Sequence, residues 1–182
     1  MLKWVYHRVL NRLERRYGYD ATYLHEMADA APAAFRRYMK MQMAGKWRVP
    51  LPVDAANAAS IAGALHEDCG PCVQIATDMA LEQGVPAATI GALLSGAPAP
   101  ADAQLAFDFG RALLAASIEI DALRERARAR WGEAGVVALA LNAMTARNFP
   151  VMKRAMGHAK ACRKVRVGRE DIAVASALKS VA

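Results

Sequence analysis

Residues 54–84, DAANAASIAGALHEDCGPCVQIATDMALEQG, decide the fold class. Asp54 reads as the N-cap of an alanine-rich helix running to Cys69, with side chains small enough for close packing. Gly70 and Pro71 interrupt it, and a second helix starts at Pro71 and runs to Gly84. Alanine is the strongest helix former and a poor strand former, so a helix, a break and a helix are predicted here. Elsewhere no alternating run of Val, Ile or Tyr has useful length. An all-α fold is predicted; an all-β fold is excluded, and a doubly wound α/β fold is disfavoured.

Working outward, Leu2–Tyr17 places Leu2, Val5, Tyr6, Val9, Leu10 and Leu13 on one stripe of a basic amphipathic helix that Gly18 ends. Asp20 reads as the cap of a short helix through Asp29. Pro32 opens the next helix, and Gly45 stops it. The prolines of KWRVPLP (46–52) make a connector. Beyond Gly84, a short helix spans Pro86–Leu94, and three more are predicted over 102–116, 118–131 and 133–148. Gly132 separates the last two, Pro150 ends or kinks the final one, and its continuation carries His158 and Cys162. Residues 164–171 read as a break, and Ile172–Val181 as a short helix or loose tail.

The chain has 182 residues, 55% of them hydrophobic, 7% aromatic and 23% charged. Its mean hydropathy is +0.08. These values suit one globular domain and exclude disorder throughout. The expected organisation is a basic helical extension over 1–30, a helical domain over 31–164 and a tail over 165–182. No segment resembles a membrane span or a secretory h-region. Three cysteines, an odd number, cannot form a closed disulfide framework, so a reducing, cytoplasmic setting is expected.

The net charge of +7 is unevenly distributed. Residues 1–48 hold ten Lys/Arg against four Asp/Glu, residues 49–101 none against five, and residues 151–182 eight against two. The simplest reading is that basic ends fold against an acidic middle. No nucleic-acid fingerprint accompanies the basic segments, so a nucleic-acid partner is not expected.

The chemistry centres on HEDCGPC, His66–Cys72. Cys69 falls at or just before a helix start and Cys72 in its first turn, where free N–H groups and the helix dipole favour a thiolate. Sulfurs three residues apart across a Gly-Pro turn approach bonding distance, so a reversible Cys69–Cys72 dithiol is expected. His66 and Glu67 precede it as candidate bases, beside Asp68. Gln74 and Thr77 on the following helix are candidate hydrogen-bond donors, or simply an exposed polar face. Arg147, Lys153 and Arg154 could supply a cation to the thiolate; a solvated basic face is the plainer reading. The motif shares Cys-Gly-Pro-Cys with thioredoxin, but a helix rather than a strand precedes it, and Asp68 stands where thioredoxin has Trp.

From about Ala33 to Cys162 the chain resembles the carboxymuconolactone decarboxylase-like superfamily, in its alkylhydroperoxidase D-like branch. The resemblance rests on the alanine-rich helix entering C-x-x-C, on MALEQGVP and TIGALL, and on DAQLAFDFGRALL. It implies an all-α bundle, homo-oligomers, no cofactor, and thiol-dependent peroxide reduction or disulfide exchange with a thiol electron donor. The family's relay histidine falls at Ala76 and its relay glutamate near Asn57, which implies weak peroxidase activity. Two other readings stand beside this one. One is a non-catalytic oligomeric binding or regulatory module of the same fold. The other is a structural zinc protein using Cys69, Cys72, His158 and Cys162.

Overall fold

The centre of the fold is a helix with no polar face. In α4 (Val53–His66), ten residues from Ala55 to Leu65, all but Ser60, are buried. A helix apolar all round must be covered on every side. Here α7 (Ala101–Leu114) and α8 (Ile120–Ala155) provide the most extensive cover. The computed structural model describes residues 2–159 and 164–175. Within them, α1 (Leu2–Tyr17), α2 (Thr22–Ala30) and α3 (Pro32–Gln42) precede a 3-10 turn at Met43–Lys46, and α5 (Gly70–Glu82) and α6 (Ala87–Ser95) lie between α4 and α7. The fold is predominantly helical, as the alanine-rich segments predict.

Small residues set the helix separations. A Cβ built on Gly63 of α4 would lie 2.2 Å from the carbonyl oxygen of Ala143 on α8. One built on Gly110 of α7 would lie 3.0 Å from the Ala62 Cβ. The alanines and glycines therefore trade side-chain volume for contact between helix backbones.

Several local expectations are corrected. Pro52, not Asp54, occupies the N-cap of α4; Asp54 sits in the first turn and its carboxylate accepts the Ala55 N–H at 2.8 Å. Helix α4 stops at His66 rather than Cys69. Ala21 caps α2, while Asp20 accepts the Thr22 N–H at 3.1 Å and its hydroxyl at 2.6 Å. The two helices expected around Gly132 are present: they meet at a kink where Gly132 leaves helical geometry, at φ 70°, and together make up α8. Pro150 is buried inside α8 without ending it. Tertiary contacts on both sides hold the helix there: Phe149 meets Tyr38 edge-on, with centroids 5.8 Å apart, and Lys153 donates to the Asp20 carbonyl at 2.6 Å.

The largest departure is at the C-terminal end. Residues expected as a break and the start of a short helix or loose tail form an antiparallel hairpin, β1 (Lys164–Val167) with β2 (Glu170–Ala173), paired from Lys164–Ala173 to Val167–Glu170. Val165 and Val167 are buried, and Lys164 and Arg166 are exposed or partnered outside, so KVRV is an alternating strand too short to stand out alone. Gln74 of α5 secures it: its amide donates to the Arg166 carbonyl at 2.8 Å and its carbonyl accepts the Arg166 N–H at 2.7 Å. Gln74→Ala should therefore loosen the hairpin by about 1–2 kcal/mol. Faster amide exchange at Val165 and Val167, with the helices unchanged, is the expected reading.

Candidate functional site

Asp68 joins α4 to α5 in a left-handed conformation, φ 48°, which a short polar residue tolerates better than most. That reversal places Cys69 at the N-cap of α5 with extended backbone, φ −101° and ψ 96°. Its carbonyl accepts the N–H groups of Cys72 and Val73, both at 3.0 Å. One turn on, Cys72 comes within a Cα separation of 5.3 Å, and the two sulfurs are bonded to each other. The pair thus lies at a helix N-terminus, where the sequence puts it. Both cysteines are buried, Cys69 at 0% exposure and Cys72 at 3%.

Tyr19 meets the disulfide from the other side. Its hydroxyl lies 3.8 Å from Cys72 Sγ and 3.1 Å from the hydroxyl of Tyr23. The Lys153 ammonium sits over both rings, 4.3 Å from the Tyr19 centroid and 5.4 Å from that of Tyr23. Lys153 is wholly buried. The solvated-face reading therefore fails for this lysine. Burial, ahead of the opposing hydrogen bond from Tyr23, pushes the Tyr19 phenol up to about 12, and burial raises Tyr23 as well. Both phenols stay protonated at neutral pH.

A charged clamp braces the turn before the cysteines. Glu67 is 8% exposed and its carboxylate accepts Arg147 Nε and Arg154 Nη1, each at 2.5 Å. Arg154 also donates to the Glu67 carbonyl. Two of the five acids in the lysine- and arginine-free middle segment are thus paired with cations from outside it: Glu67 with Arg147 and Arg154 of α8, and Glu82 with Arg16 of α1 at 2.9 Å. Basic ends fold on an acidic middle within one chain.

Burial works to raise the Glu67 pKa, but the two guanidinium hydrogen bonds and their charges outweigh it, and the net shift is downward. A carboxylate with a lowered folded pKa contributes stability above its ordinary value of 4.5 and loses it as pH falls through the lowered pKa. Glu67→Gln should therefore cost stability at pH 6 and lose that deficit progressively below pH 4.5. Urea midpoints measured from pH 6 to pH 3 for both proteins should converge at the acid end.

The remaining predicted residues fall as follows. His66 closes α4 half-buried; burial first, then the Arg147 charge, hold its imidazole below 6.5, so it is neutral at pH 7. Among the described residues no hydrogen bond joins it to either sulfur. Gln74 serves the hairpin, and Thr77 is fully buried rather than on an exposed face. Asn57 donates to the Val53 carbonyl at 2.8 Å and to Gln83 at 3.1 Å. Helix α8 stops at Ala155, so His158 is not on it; its ring lies 3.0 Å from Glu26. Cys162 lies outside the described residues. Among those residues no group of three or more His, Cys, Asp or Glu is gathered to hold a metal ion, so Cys69, Cys72 and His158 do not share a site.

Tyr19, Tyr23 and Lys153 as a cluster are not visible in the sequence, because Tyr19 stands 53 positions before Cys72 and Lys153 stands 81 positions after it. The one signal available is a lysine beside Pro150, on a helix that the proline does not end. Among the described residues no helix is long and apolar enough to cross a membrane. No protein-family profile, no curated protein and no solved structure matches this chain.

Proposed function

We propose that the protein is a thiol-dependent redox protein working through the Cys69–Cys72 pair. The observation that supports this reading is the bonded pair at the N-terminus of α5 with a protonated phenol against Cys72. In the oxidised state, two thiols reduce the pair and leave as one disulfide. In the reduced state, the dithiol returns two electrons to a disulfide, releasing two thiols, or to a hydroperoxide, releasing an alcohol and water. Disulfide exchange is the better activity, because Ala76 leaves no histidine one turn beyond Cys72 to relay a proton to a peroxide. The helical bundle and C-x-x-C are compatible with an alkylhydroperoxidase D-like protein, and we carry that assignment as part of the proposal.

The test is a thiol titration of the native protein. Mild dithiol treatment should expose two new reactive thiols, and a small disulfide should remove them again, with the helical signal unchanged throughout. The burial of both cysteines favours one competing reading, a module in which the bond is only structural. A disulfide that opens solely in denaturant decides for that module.

Self-association is part of the same proposal. Val137, Met144 and Val151 recur every seven residues on α8 and are 41–51% exposed, which fits a seam against a second copy. On α1, Leu10 is buried while Trp4, Val5 and Val9 face outward. Light scattering at micromolar concentration should return a mass above 19.6 kDa, and Met144→Glu should lower it.

A further inference from the structure

We propose that Tyr19 assigns the roles of the two sulfurs: it holds Cys72 as the leaving sulfur, so that an incoming thiol bonds to Cys69. This rests on the redox reading above and specifies its chemistry.

Among the described side chains, a hydroxyl lies against Cys72 Sγ, and no such donor lies against Cys69. The Tyr19 proton is free for this contact if Tyr23 donates to the Tyr19 oxygen at 3.1 Å, giving a chain that runs Tyr23 to Tyr19 to sulfur. Four groups face the Tyr19 phenol. Tyr23 comes from α2, Tyr38 from α3, Lys153 from α8, and Asp20 is its neighbour in the loop. Lys153 over the ring face acts as a positioning residue: it is anchored on the Asp20 carbonyl at 2.6 Å and so fixes the loop that carries Tyr19.

In thiol–disulfide exchange the sulfur whose thiolate is better stabilised departs faster. A donor thiolate attacks Cys69 Sγ, the Cys69–Cys72 bond breaks, and its electron pair stays on Cys72 Sγ. The Tyr19 hydroxyl hydrogen-bonds that thiolate without giving up its proton. A second donor thiolate then attacks the donor sulfur of the mixed disulfide. It leaves as the donor disulfide and frees the Cys69 thiolate. The two protons from the two donor thiols end on the protein, which has gained two electrons.

The experiment treats the oxidised protein with a monothiol, alkylates rapidly, and maps both cysteines by mass spectrometry. The expected product carries the monothiol on Cys69 and the alkyl group on Cys72. Tyr19→Phe keeps the ring in place and should slow native reduction about tenfold. It should also move the pH midpoint of Cys72 alkylation up by about one unit, because the thiolate has lost its donor. Tyr23→Phe removes a hydroxyl that does not touch sulfur and should stay within about threefold of the parent rate. The monothiol on Cys72, or an unchanged midpoint in Tyr19→Phe, overturns the assignment while leaving the redox reading intact. So does an equal loss in both Phe variants. A bond that no monothiol opens in the folded protein overturns both together.

Discussion

Cys69→Ser and Cys72→Ser should each abolish thiol–disulfide exchange, to below about a hundredth of the parent rate, because each removes the partner to which the other sulfur is bonded and with which it stores two electrons. Either change removes a very short cross-link, whose contribution in the chain-entropy account is about 2 kcal/mol. A helical core built around α4 should tolerate that loss, so the far-UV spectrum and cooperative unfolding should survive. Cys162→Ser should leave exchange unchanged, since the working bond is between the other two cysteines. The measurement is turnover of a chromogenic disulfide with a dithiol donor, alongside thermal unfolding of each variant. Full activity in either Cys69→Ser or Cys72→Ser removes the redox reading. A loss in Cys162→Ser shows that the pair does not act alone.

The bonded Cys69–Cys72 pair was legible because its cause is local. A glycine and a proline between two helical patterns require a helix start, and three residues of spacing bring the sulfurs together whatever surrounds them. The alanine-rich run of α4 was legible for the same kind of reason. Its small side chains predict a closely packed helix, and the structure surrounds it with α7 and α8.

The surroundings of the sulfurs were not legible, because they depend on contacts between distant parts of the chain. Tyr19 lies in a short connector, and nothing in the string GYDAT says that it will reach Cys72. Lys153 looked like one of three solvent-facing cations around Pro150, yet it is buried under two tyrosine rings, while Arg147 and Arg154 grip Glu67. What separates them is angular position on α8. A hundred-degree step per residue turns Lys153 inward and Arg154 outward, and the proline obscured the phase by suggesting a break that does not occur. The hairpin was missed for a third reason. Four-residue strands carry too few alternations to rise above chance, and Gln74, which holds β1 in place, is on a helix ninety-two residues earlier.

Gly63→Ala offers the strongest test of how α4 and α8 are held, because two principles predict opposite signs for it. In an isolated helix the change should stabilise by about 1 kcal/mol, as alanine is the better helix former. In this fold the new Cβ would lie 2.2 Å from the Ala143 carbonyl oxygen and 3.1 Å from its Cα, and the obstacle is the backbone of a packed helix rather than the end of a flexible side chain. Overpacking then wins, and the expected net effect is a loss of about 2 kcal/mol, or roughly 4–8 °C in melting temperature for a chain of this size. Gly91→Ala in α6 is the matched comparison. Its nearest neighbour would be the Ile172 side chain at 3.8 Å, an ordinary contact, so propensity acts alone and the melting temperature should rise. The effect of Gly63→Ala should also reach the site. Helix α4 leads into Glu67 and α8 carries Arg147, Lys153 and Arg154, so pushing the helices apart strains the clamp before the cysteines. Native reduction of the disulfide should therefore change rate in Gly63→Ala and not in Gly91→Ala. Equal melting temperatures for the two variants would mean that α4 and α8 do not approach closely enough at Gly63 to exclude a methyl group.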